Sequence, residues 1–216
     1  VQIFCIDNIE ADDVIAYLTM QYFQPKGSKV RIVSTDGDFL QLISENVEVY
    51  SPVKKKLYDQ ELLQKEFGLR PDNYLLYRMV SGDNSDSIPG VRGIGLKTLL
   101  KSFPEMSSEK INYVYLLKEA KVRSEQVKSP KIYKILLEHE EILERNYKLM
   151  QLNDTDISLN SKLKIISQIE SEIPKIDKLQ FKKYVIEDYL NEEFKNLDQW
   201  LMTTFSNLNV WANKNE

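Results

Sequence analysis

The chain has 216 residues, of which 42% are hydrophobic and 29% are charged. This composition can bury a sizeable core, as one large domain or as a domain with a helical extension, and it excludes an intrinsically disordered chain. The formal net charge of −4, taken as a total, argues against a nucleic-acid partner.

The first 50 residues follow an α/β pattern. Strands are predicted in VQIFCI, KVRIVST and VEVYS, and a helix from Asp12 to about Tyr22, ended by Pro25 and Gly27. This order favours parallel strands, whose carboxyl ends share the sheet edge where sites gather in α/β proteins. KKKLYD predicts a short edge strand, and the rest of the chain is helical. The predicted fold class is therefore α/β, a mainly parallel sheet flanked by helices, followed by a helical C-terminal region.

The single cysteine, Cys5, lies in the first predicted strand and is expected to be buried and reduced. It indicates an intracellular protein and excludes a disulfide framework. No apolar run reaches the roughly 20 residues that span a bilayer, and the N-terminus has no signal peptide. We therefore expect a soluble, cytoplasmic protein without a membrane partner. Because the chain starts abruptly in a strand-like segment without an initiator methionine, an upstream part is expected to be missing.

Three carboxylates crowd the start of the first predicted helix, in IEADDVIAYL: Glu10, Asp12 and Asp13. Acidic residues in a first turn complement the helix dipole and cap free N–H groups, but one carboxylate suffices for that. Three neighbours raise one another's pKa unless a cation lies among them. This stretch alone leaves a helix cap and a hard-metal site equally open.

Two further acidic pairs follow, Asp36 and Asp38 in STDGDFLQL and Asp83 and Asp86 in SGDNSDSIPG. Each pair alone has a simpler explanation, a turn for the first and a helix N-cap with turn chemistry for the second. For the three acidic groups taken together, three independent caps explain the sequence less well than one shared metal site does. Together they offer seven carboxylates, which need divalent cations to stay ionised, and two ions would suit phosphodiester displacement. The lone histidine, His139, is far along the chain, so Mg²⁺ or Mn²⁺ is predicted rather than zinc.

The glycine-rich stretch IPGVRGIGLKTLLKSF predicts a helix-hairpin-helix-like element, in which backbone N–H groups at Gly93 to Gly95 approach a phosphate. An ordinary interhelical turn is the alternative. Residues 92–134 carry ten Lys or Arg against four Glu, an excess of six positive charges, which indicates either a phosphate-facing surface or a solvated helical face. The predicted DNA-contacting residues are Gly90, Arg92, Gly93, Gly95, Lys97, Thr98 and Lys101.

The order EADD, TDGD and GDNSDSIPGVRGIGLKT resembles the 5′-nuclease family of flap endonucleases and polymerase-associated 5′ to 3′ exonucleases. SPVKKKLYD and NYKLMQLNDTDIS make the phage-type enzymes, such as the ribonuclease H of T-even phages, the nearer match. The resemblance covers most of the chain, firmly over residues 7–103 and loosely after that.

The resemblance implies a two-metal-ion hydrolase that uses Mg²⁺ or Mn²⁺. The segment from Gly90 to Lys97 would grip duplex DNA, with a K⁺ ion at the hairpin. The implied metal residues are Glu10 and Asp12 for the first ion with Asp13 nearby, and Asp36, Asp38 and Asp83 for the second with Asp86 in an outer shell.

Family members carry one aspartate at the end of their first strand and another before a basic helical arch, and both precede EADD. Neither precedes Val1, so the chain is expected to be about the C-terminal two thirds of such an enzyme. We expect residues 1–87 to form part of the nuclease core, and residues 88–216 a helical DNA-binding subdomain with C-terminal helices. Core stripes are predicted in those helices at Leu143, Leu149, Leu152, Phe181, Tyr184, Val185 and Tyr189.

The predicted function is hydrolysis of phosphodiesters at 5′ ends or flaps of DNA and RNA–DNA duplexes, in replication and primer removal. The enzyme would act as a monomer, with replication proteins as further partners. Two alternatives stay open. One is a noncatalytic, structure-specific DNA-binding fragment that lacks the upstream ligands, and the other is an acidic-pocket protein whose metal is structural.

Overall fold

The computed structural model describes residues 3–153, 157–172, 177–190 and 192–212. These form two compact units, one within residues 8–157 and the other made of residues before 8 and after 157. The division predicted between residues 87 and 88 is one of function and stays a prediction. In the described part of the chain, no helix is both long enough and apolar enough to span a bilayer.

A three-stranded sheet lies in the unit of residues 8–157, in the order β1 (Val30–Val33), β2 (Val47–Ser51) and β3 (Lys56–Tyr58). β1 pairs with β2 in parallel, and β3 pairs with β2 in antiparallel fashion. Along β2 alternate residues are buried, as expected for a strand with one face on the core. The second, third and edge strands predicted from the sequence are therefore confirmed.

The prediction of a first strand in VQIFCI is wrong for residues 3–6, which are irregular. These residues belong to the unit that contains residues after 157, and in the described part of the chain no strand pairs with them to supply the ladder hydrogen bonds that a strand requires. Cys5, expected to be buried, is exposed and reduced, and the Ile3 side chain is also exposed.

Helices surround the sheet in this unit. The first, α1 (Ala11–Tyr17), continues as a π-helical segment (Leu18–Phe23) and a short turn that ends at Gly27, whose φ is +70°. This confirms the first predicted helix and the residues that end it. The remaining helices are α2 (Gln60–Phe67), α3 (Tyr74–Ser81), α4 (Leu96–Ser102), α5 (Tyr113–Ser124), α6 (Lys131–Glu138) and α7 (Glu140–Met150).

A two-stranded hairpin interrupts the helical half between α3 and α4. It consists of β4 (Gly82–Asp83) and β5 (Ile88–Pro89), paired in antiparallel fashion. Gly82 has a φ of +71°, and a Cβ atom there would lie 2.3 Å from the backbone nitrogen of Gly90. The hairpin therefore closes only with glycine at this position.

One core joins the sheet to these helices. It includes Val49 of β2, Leu63 of α2, Met79 of α3, Leu99 of α4 and Leu136 of α6. Because α3 lies within this core and runs straight into the hairpin, the hairpin is anchored by packing on its N-terminal side.

α7 packs along α3 through a stripe that was predicted only in part. Leu143 is buried as predicted, and Asn146 and Met150 are also buried, whereas Leu149, predicted to lie in the core, has 63% of its surface exposed. The buried positions recur every three or four residues, as on one helix face, and the sequence pattern missed Asn146, which is polar, and Met150. Leu152, after the helix, is buried as predicted.

The second unit contains α8 (Leu159–Ile169), α9 (Lys178–Glu187) and α10 (Leu197–Ala212). In α9 Val185 is buried as predicted, but Tyr184 is exposed. Tyr189, which follows the helix, is exposed as well. Phe181, also predicted to lie in the core, is half-buried and stacks on Trp200 with ring centroids 5.8 Å apart. The most buried of the described side chains in this unit are Ile165, Val185 and Leu201.

Candidate active site

The acidic residues of EADD lie at the start of α1. Glu10 occupies the N-cap position, but its carboxylate makes no capping hydrogen bond. Asp12 and Asp13, in the first turn, are half-buried. Burial raises the pKa of Asp12, and the nearby negative charges of Asp36, Glu10, Asp13 and Asp86 raise it further. This cluster is therefore electrostatically strained, as a cation site is before its cation binds.

Asp36 and Asp38 follow the carboxyl end of β1. The backbone N–H of Asp38 donates to Oδ1 of Asp36 over 2.8 Å, which fixes the turn that the sequence DGD predicted. Asp38 then begins a short 3₁₀ helix. Burial raises the pKa of Asp38 against the opposing effect of Arg78, and the charges of Asp36 and Asp83 raise it further.

Asp83 and Asp86 lie in the β4–β5 hairpin. The hydroxyl of Ser85 donates a hydrogen bond to Asp83, and the backbone N–H of Ser85 donates to the same oxygen over 2.7 Å. With further help from Arg78, these bonds lower the pKa of Asp83 to about 2. Asp83 is therefore ionised throughout the neutral pH range.

The structure brings three of the predicted acidic residues into one group. Carboxylate oxygens of Asp38, Asp83 and Asp86 all lie within 4.8 Å of one another. Asp36, which was expected to share a cation with Asp38 and Asp83, is not in this group. Asp86, expected in an outer shell, is in it. One oxygen of Asp36 instead accepts the turn hydrogen bond from the N–H of Asp38.

A cavity of about 280 Å³ joins this group to the start of α1. Lys148 and the segment 149–152 at the end of α7 complete its wall. The carboxylates of all three sequence motifs therefore contribute to one depression. The acidic residues that line it are Glu10, Asp12, Asp13, Asp38 and Asp86.

Sequence reasoning missed Arg78, a buried cation that contacts two carboxylates of this site. Its Nε donates to Oδ1 of Asp38 over 2.9 Å, and its Nη2 donates to Oδ2 of Asp83. The sequence feature that could have identified Arg78 is its position as the lone charged residue within the apolar helix YLLYRMV, because a charge among buried residues requires a partner.

The predicted DNA-contacting residues lie on and before α4. Arg92, Lys97, Thr98 and Lys101 are exposed, and Lys97 and Lys101 share one face at i and i+4. Gly93 has a φ of +83°. A Cβ atom added at Gly93 or at Gly95 would meet nothing within 4 Å.

Gly90 differs from the other glycines of this stretch. A Cβ atom there would lie 2.1 Å from the carbonyl oxygen of Ser81. This glycine therefore serves the close packing of the hairpin against the end of α3.

Part of the basic excess over residues 92–134 serves the fold. The guanidinium of Arg123 donates to the carbonyl oxygen of Ser102 over 2.7 Å and to the carboxylate of Glu105 over 2.8 Å. Lys110 forms an ion pair with Asp72. At least two of the ten basic residues in this stretch therefore have acidic or carbonyl partners within the protein.

Comparison with known proteins identifies the family of this chain. Residues 1–68 match the family model described as the 5′-3′ exonuclease, N-terminal resolvase-like domain. A 5′-3′ exonuclease of Aquifex aeolicus is 35% identical over 182 residues, which cover 82% of this chain and 56% of that protein. The chain belongs to the 5′-nuclease family. The thermostable DNA polymerase I of Thermus aquaticus is 41% identical over 103 residues, 48% of this chain and 12% of that protein.

The fold of this 5′-nuclease chain also matches solved structures from phage T5. The T5 5′-exonuclease with divalent metal ions (zinc) bound gives a TM-score of 0.60 at 24% identity, over 77% of this chain and 62% of that one. A T5 flap endonuclease variant in complex with DNA and metal ions gives 0.63 at 23% identity, over 78% and 62%. At these identities the match establishes the α/β fold with its helical region.

The chain spans about half the length of the curated exonucleases that it matches, 56% and 55% for two of them. The nearer resemblance to T-even phage enzymes that the sequence suggested stays a prediction.

Proposed function

We propose that this chain carries the metal-binding site and a duplex-binding element of a 5′-nuclease that hydrolyses phosphodiesters near the 5′ ends of DNA or of RNA paired with DNA. The observation that carries the proposal is the convergence of Asp38, Asp83 and Asp86 within 4.8 Å, beside the carboxylates of α1. These groups come from three separate segments, so local capping does not account for their meeting.

The donor set fits a hard divalent cation. Every candidate ligand is a carboxylate oxygen, the ligand type that Mg²⁺ and Mn²⁺ prefer. The burial and negative surroundings that raise the pKa of Asp12 are relieved when a cation binds. When bound, divalent cations in such a site activate a water and stabilise charge on the phosphate oxygens.

Each segment would contribute its own residues to the site. We propose that Glu10 and Asp12 hold one cation, with Asp13 beside them. Asp38 and Asp83 would hold the second, together with Asp86 or Asp36. The geometry supports Asp86 in this role, whereas the family resemblance implies Asp36. No nucleophile from the protein is needed.

The open glycines before α4 support the proposal of duplex contact. Because a Cβ atom at Gly93 or Gly95 would meet no described atom within 4 Å, a phosphate could approach their backbone, and Lys97 and Lys101 would add charge on the adjoining helix face. A K⁺ ion at the hairpin, replication proteins as partners, a monomeric state and a cytoplasmic location complete the proposal as the sequence resemblance implies them.

Cleavage of 5′-flap, nicked and RNA-primed duplexes, with Mg²⁺ supplied or chelated, tests the proposal. We expect Mg²⁺-dependent cleavage that Asp83→Asn lowers at least a hundredfold. Asp59→Asn is the matched control, because Asp59 is an exposed helix cap that accepts from the N–H of Leu62. Cleavage that persists in chelator would contradict the proposal.

Binding without cleavage would favour the alternative of a noncatalytic DNA-binding fragment. Isothermal titration with Mn²⁺ distinguishes the remaining cases. A chain that binds Mn²⁺ but neither binds nor cuts DNA would instead favour a structural metal.

A further inference from the structure

Two buried amide side chains connect α7 to the loops that carry Asp38, Asp83 and Asp86. We propose that Gln41 and Asn146 are positioning residues, which fix the Asp38 loop and the Asp83–Asp86 hairpin against one helix and so set the spacing of the metal ligands. This inference rests on the proposed metal site, and it assigns a role to two buried amides that do not line the acidic cavity.

Gln41 ties the Asp38 loop to the end of α7. Its Nε2 donates to the carbonyl oxygens of Asp38 and Met150, both over 2.9 Å. Its Oε1 accepts from the backbone N–H of Leu152 over 3.0 Å. The residue is buried, and one side chain thus satisfies three main-chain groups on two segments.

Asn146 ties the hairpin to the middle of the same helix. It is fully buried, and its Nδ2 donates to the carbonyl oxygens of Met79 over 3.0 Å and Pro89 over 2.9 Å. Met79 lies in the last turn of α3 and Pro89 is in β5, so these acceptors stand on either side of the Asp83 loop.

The two attachments are about one helical turn apart along α7, because Asn146 and Met150 are separated by four residues. The carbonyl groups of Met150 and Met79 belong to the last turns of their helices, where carbonyls have no intrahelical partner. Breaking either attachment would leave buried carbonyl groups unsatisfied and free the loop that it holds.

Precise spacing matters because metal ligands tolerate little displacement. Mg²⁺ demands near-ideal octahedral geometry at about 2.0–2.1 Å, and loss of outer-shell partners typically lowers metal affinity 10- to 100-fold. Neither amide lines the acidic cavity, so an effect on affinity would pass through the loops.

Asn73 supplies a control for a purely structural role. It is equally buried, and its Nδ2 donates to the carbonyl oxygens of Met106 over 2.8 Å and Glu109 over 2.7 Å. Its Oδ1 accepts from the N–H of Ile111 over 3.0 Å. These partners are far along the chain from the acidic loops.

The experiment compares Gln41→Ala, Asn146→Ala and Asn73→Ala in the full chain. Unfolding in chelator measures stability, and calorimetric titration measures Mn²⁺ affinity. We expect all three variants to be less stable, and only the first two to lose about tenfold in Mn²⁺ affinity. Should an alanine variant fail to fold, Gln41→Met and Asn146→Ser preserve volume or one donor, and a loss of affinity in them supports the same conclusion.

Unchanged Mn²⁺ affinity in the Gln41 and Asn146 variants, with a parent that binds Mn²⁺, would overturn this inference alone. The same loss of affinity in Asn73→Ala would also overturn it, because general loosening of the fold would then explain the effect. A parent that binds no Mn²⁺ would overturn the proposed function, and this inference with it.

Discussion

Arg78 places its Nη2 atom 2.7 Å from Oδ1 of Asp38, and the same nitrogen also contacts the carboxylate of Asp83. All three side chains are at least four-fifths buried. One guanidinium therefore holds together two carboxylates that would otherwise repel each other. It does so from a helix inside the core, where its position is fixed by packing.

Replacement of Arg78 by methionine should destabilise the metal-free protein by about 2 kcal/mol, because two partly buried carboxylates lose their charged partner. Added Mn²⁺ should then stabilise the variant more than the parent, since a cation no longer competes with the guanidinium for these oxygens. Urea unfolding with and without Mn²⁺ measures both effects.

Arg123→Met is the control for this prediction. Arg123 also joins two carboxylates, Glu105 at 2.8 Å and Glu119 at 3.0 Å, but neither belongs to a proposed metal site. The Arg123→Met variant should be less stable than the parent, but Mn²⁺ should stabilise it by the same amount as the parent. A larger Mn²⁺ response in Arg123→Met would show that the rescue is not specific to Asp38 and Asp83.

Local sequence was sufficient to predict one loop of this site. The turn at Asp36 and Asp38 depends on Asp and Gly chemistry within a few residues, whereas the β4–β5 hairpin that carries Asp83 and Asp86 was not predicted. β1 and β2 were predictable because each shows its own apolar pattern and has its partner nearby in sequence.

Features that depend on distant residues were not predictable in this way. VQIFCI has the pattern of a strand, but a strand also needs a neighbour, and residues 3–6 have none in the described chain. Arg78 and Asn146 gain their roles from contacts with other segments. The local patterns of α3 and α7 do not indicate which distant residues Arg78 and Asn146 contact.

Asp12→Asn should leave the metal-free protein unchanged or more stable at neutral pH. Burial and neighbouring charges raise the pKa of Asp12, so its ionised form opposes folding above that pKa, and the amide removes this cost. The gain should vanish as the pH falls and the parent carboxyl becomes protonated. Stabilisation by Mg²⁺ or Mn²⁺ should shrink in the variant, because one ligand is lost. Thermal melts over a pH series, with metal or chelator, measure all of this.

Asp59→Ala provides the contrast of a true helix cap. The Asp59 carboxylate accepts from the N–H of Leu62 over 2.8 Å, so its loss should cost about 1 kcal/mol and leave the metal response intact. If Asp12→Asn instead behaves like Asp59→Ala, the acidic cluster of α1 is a cap.

Lys97→Ala combined with Lys101→Ala should weaken duplex binding and flatten its salt dependence. Each lost phosphate contact removes a counterion-release contribution of about 0.9 to the log–log slope. Both side chains are exposed, so the fold should persist. Lys118→Ala with Lys121→Ala changes two exposed lysines of α5 and should leave the slope unaltered. An equal change of slope in both pairs would extend the duplex surface across the whole basic stretch.

Gly95→Ala should separate DNA contact from stability. Gly95 has a φ of −98° and open space where its Cβ would be, so alanine should cost only about 0.5 kcal/mol of stability. Duplex affinity should nevertheless fall several-fold, because the added methyl group occupies the space in which a phosphate would approach the backbone.

Gly82→Ala should instead lower the stability of the fold. Its Cβ would lie 2.4 Å from the carbonyl oxygen of Ile88 at a φ of +71°, so the hairpin that holds Asp83 should lose at least about 3 kcal/mol. Thermal melts and fluorescence anisotropy with a labelled duplex measure both variants. Full duplex affinity in a stable Gly95→Ala would remove this glycine from the DNA interface and leave Lys97 and Lys101 as its candidate contacts.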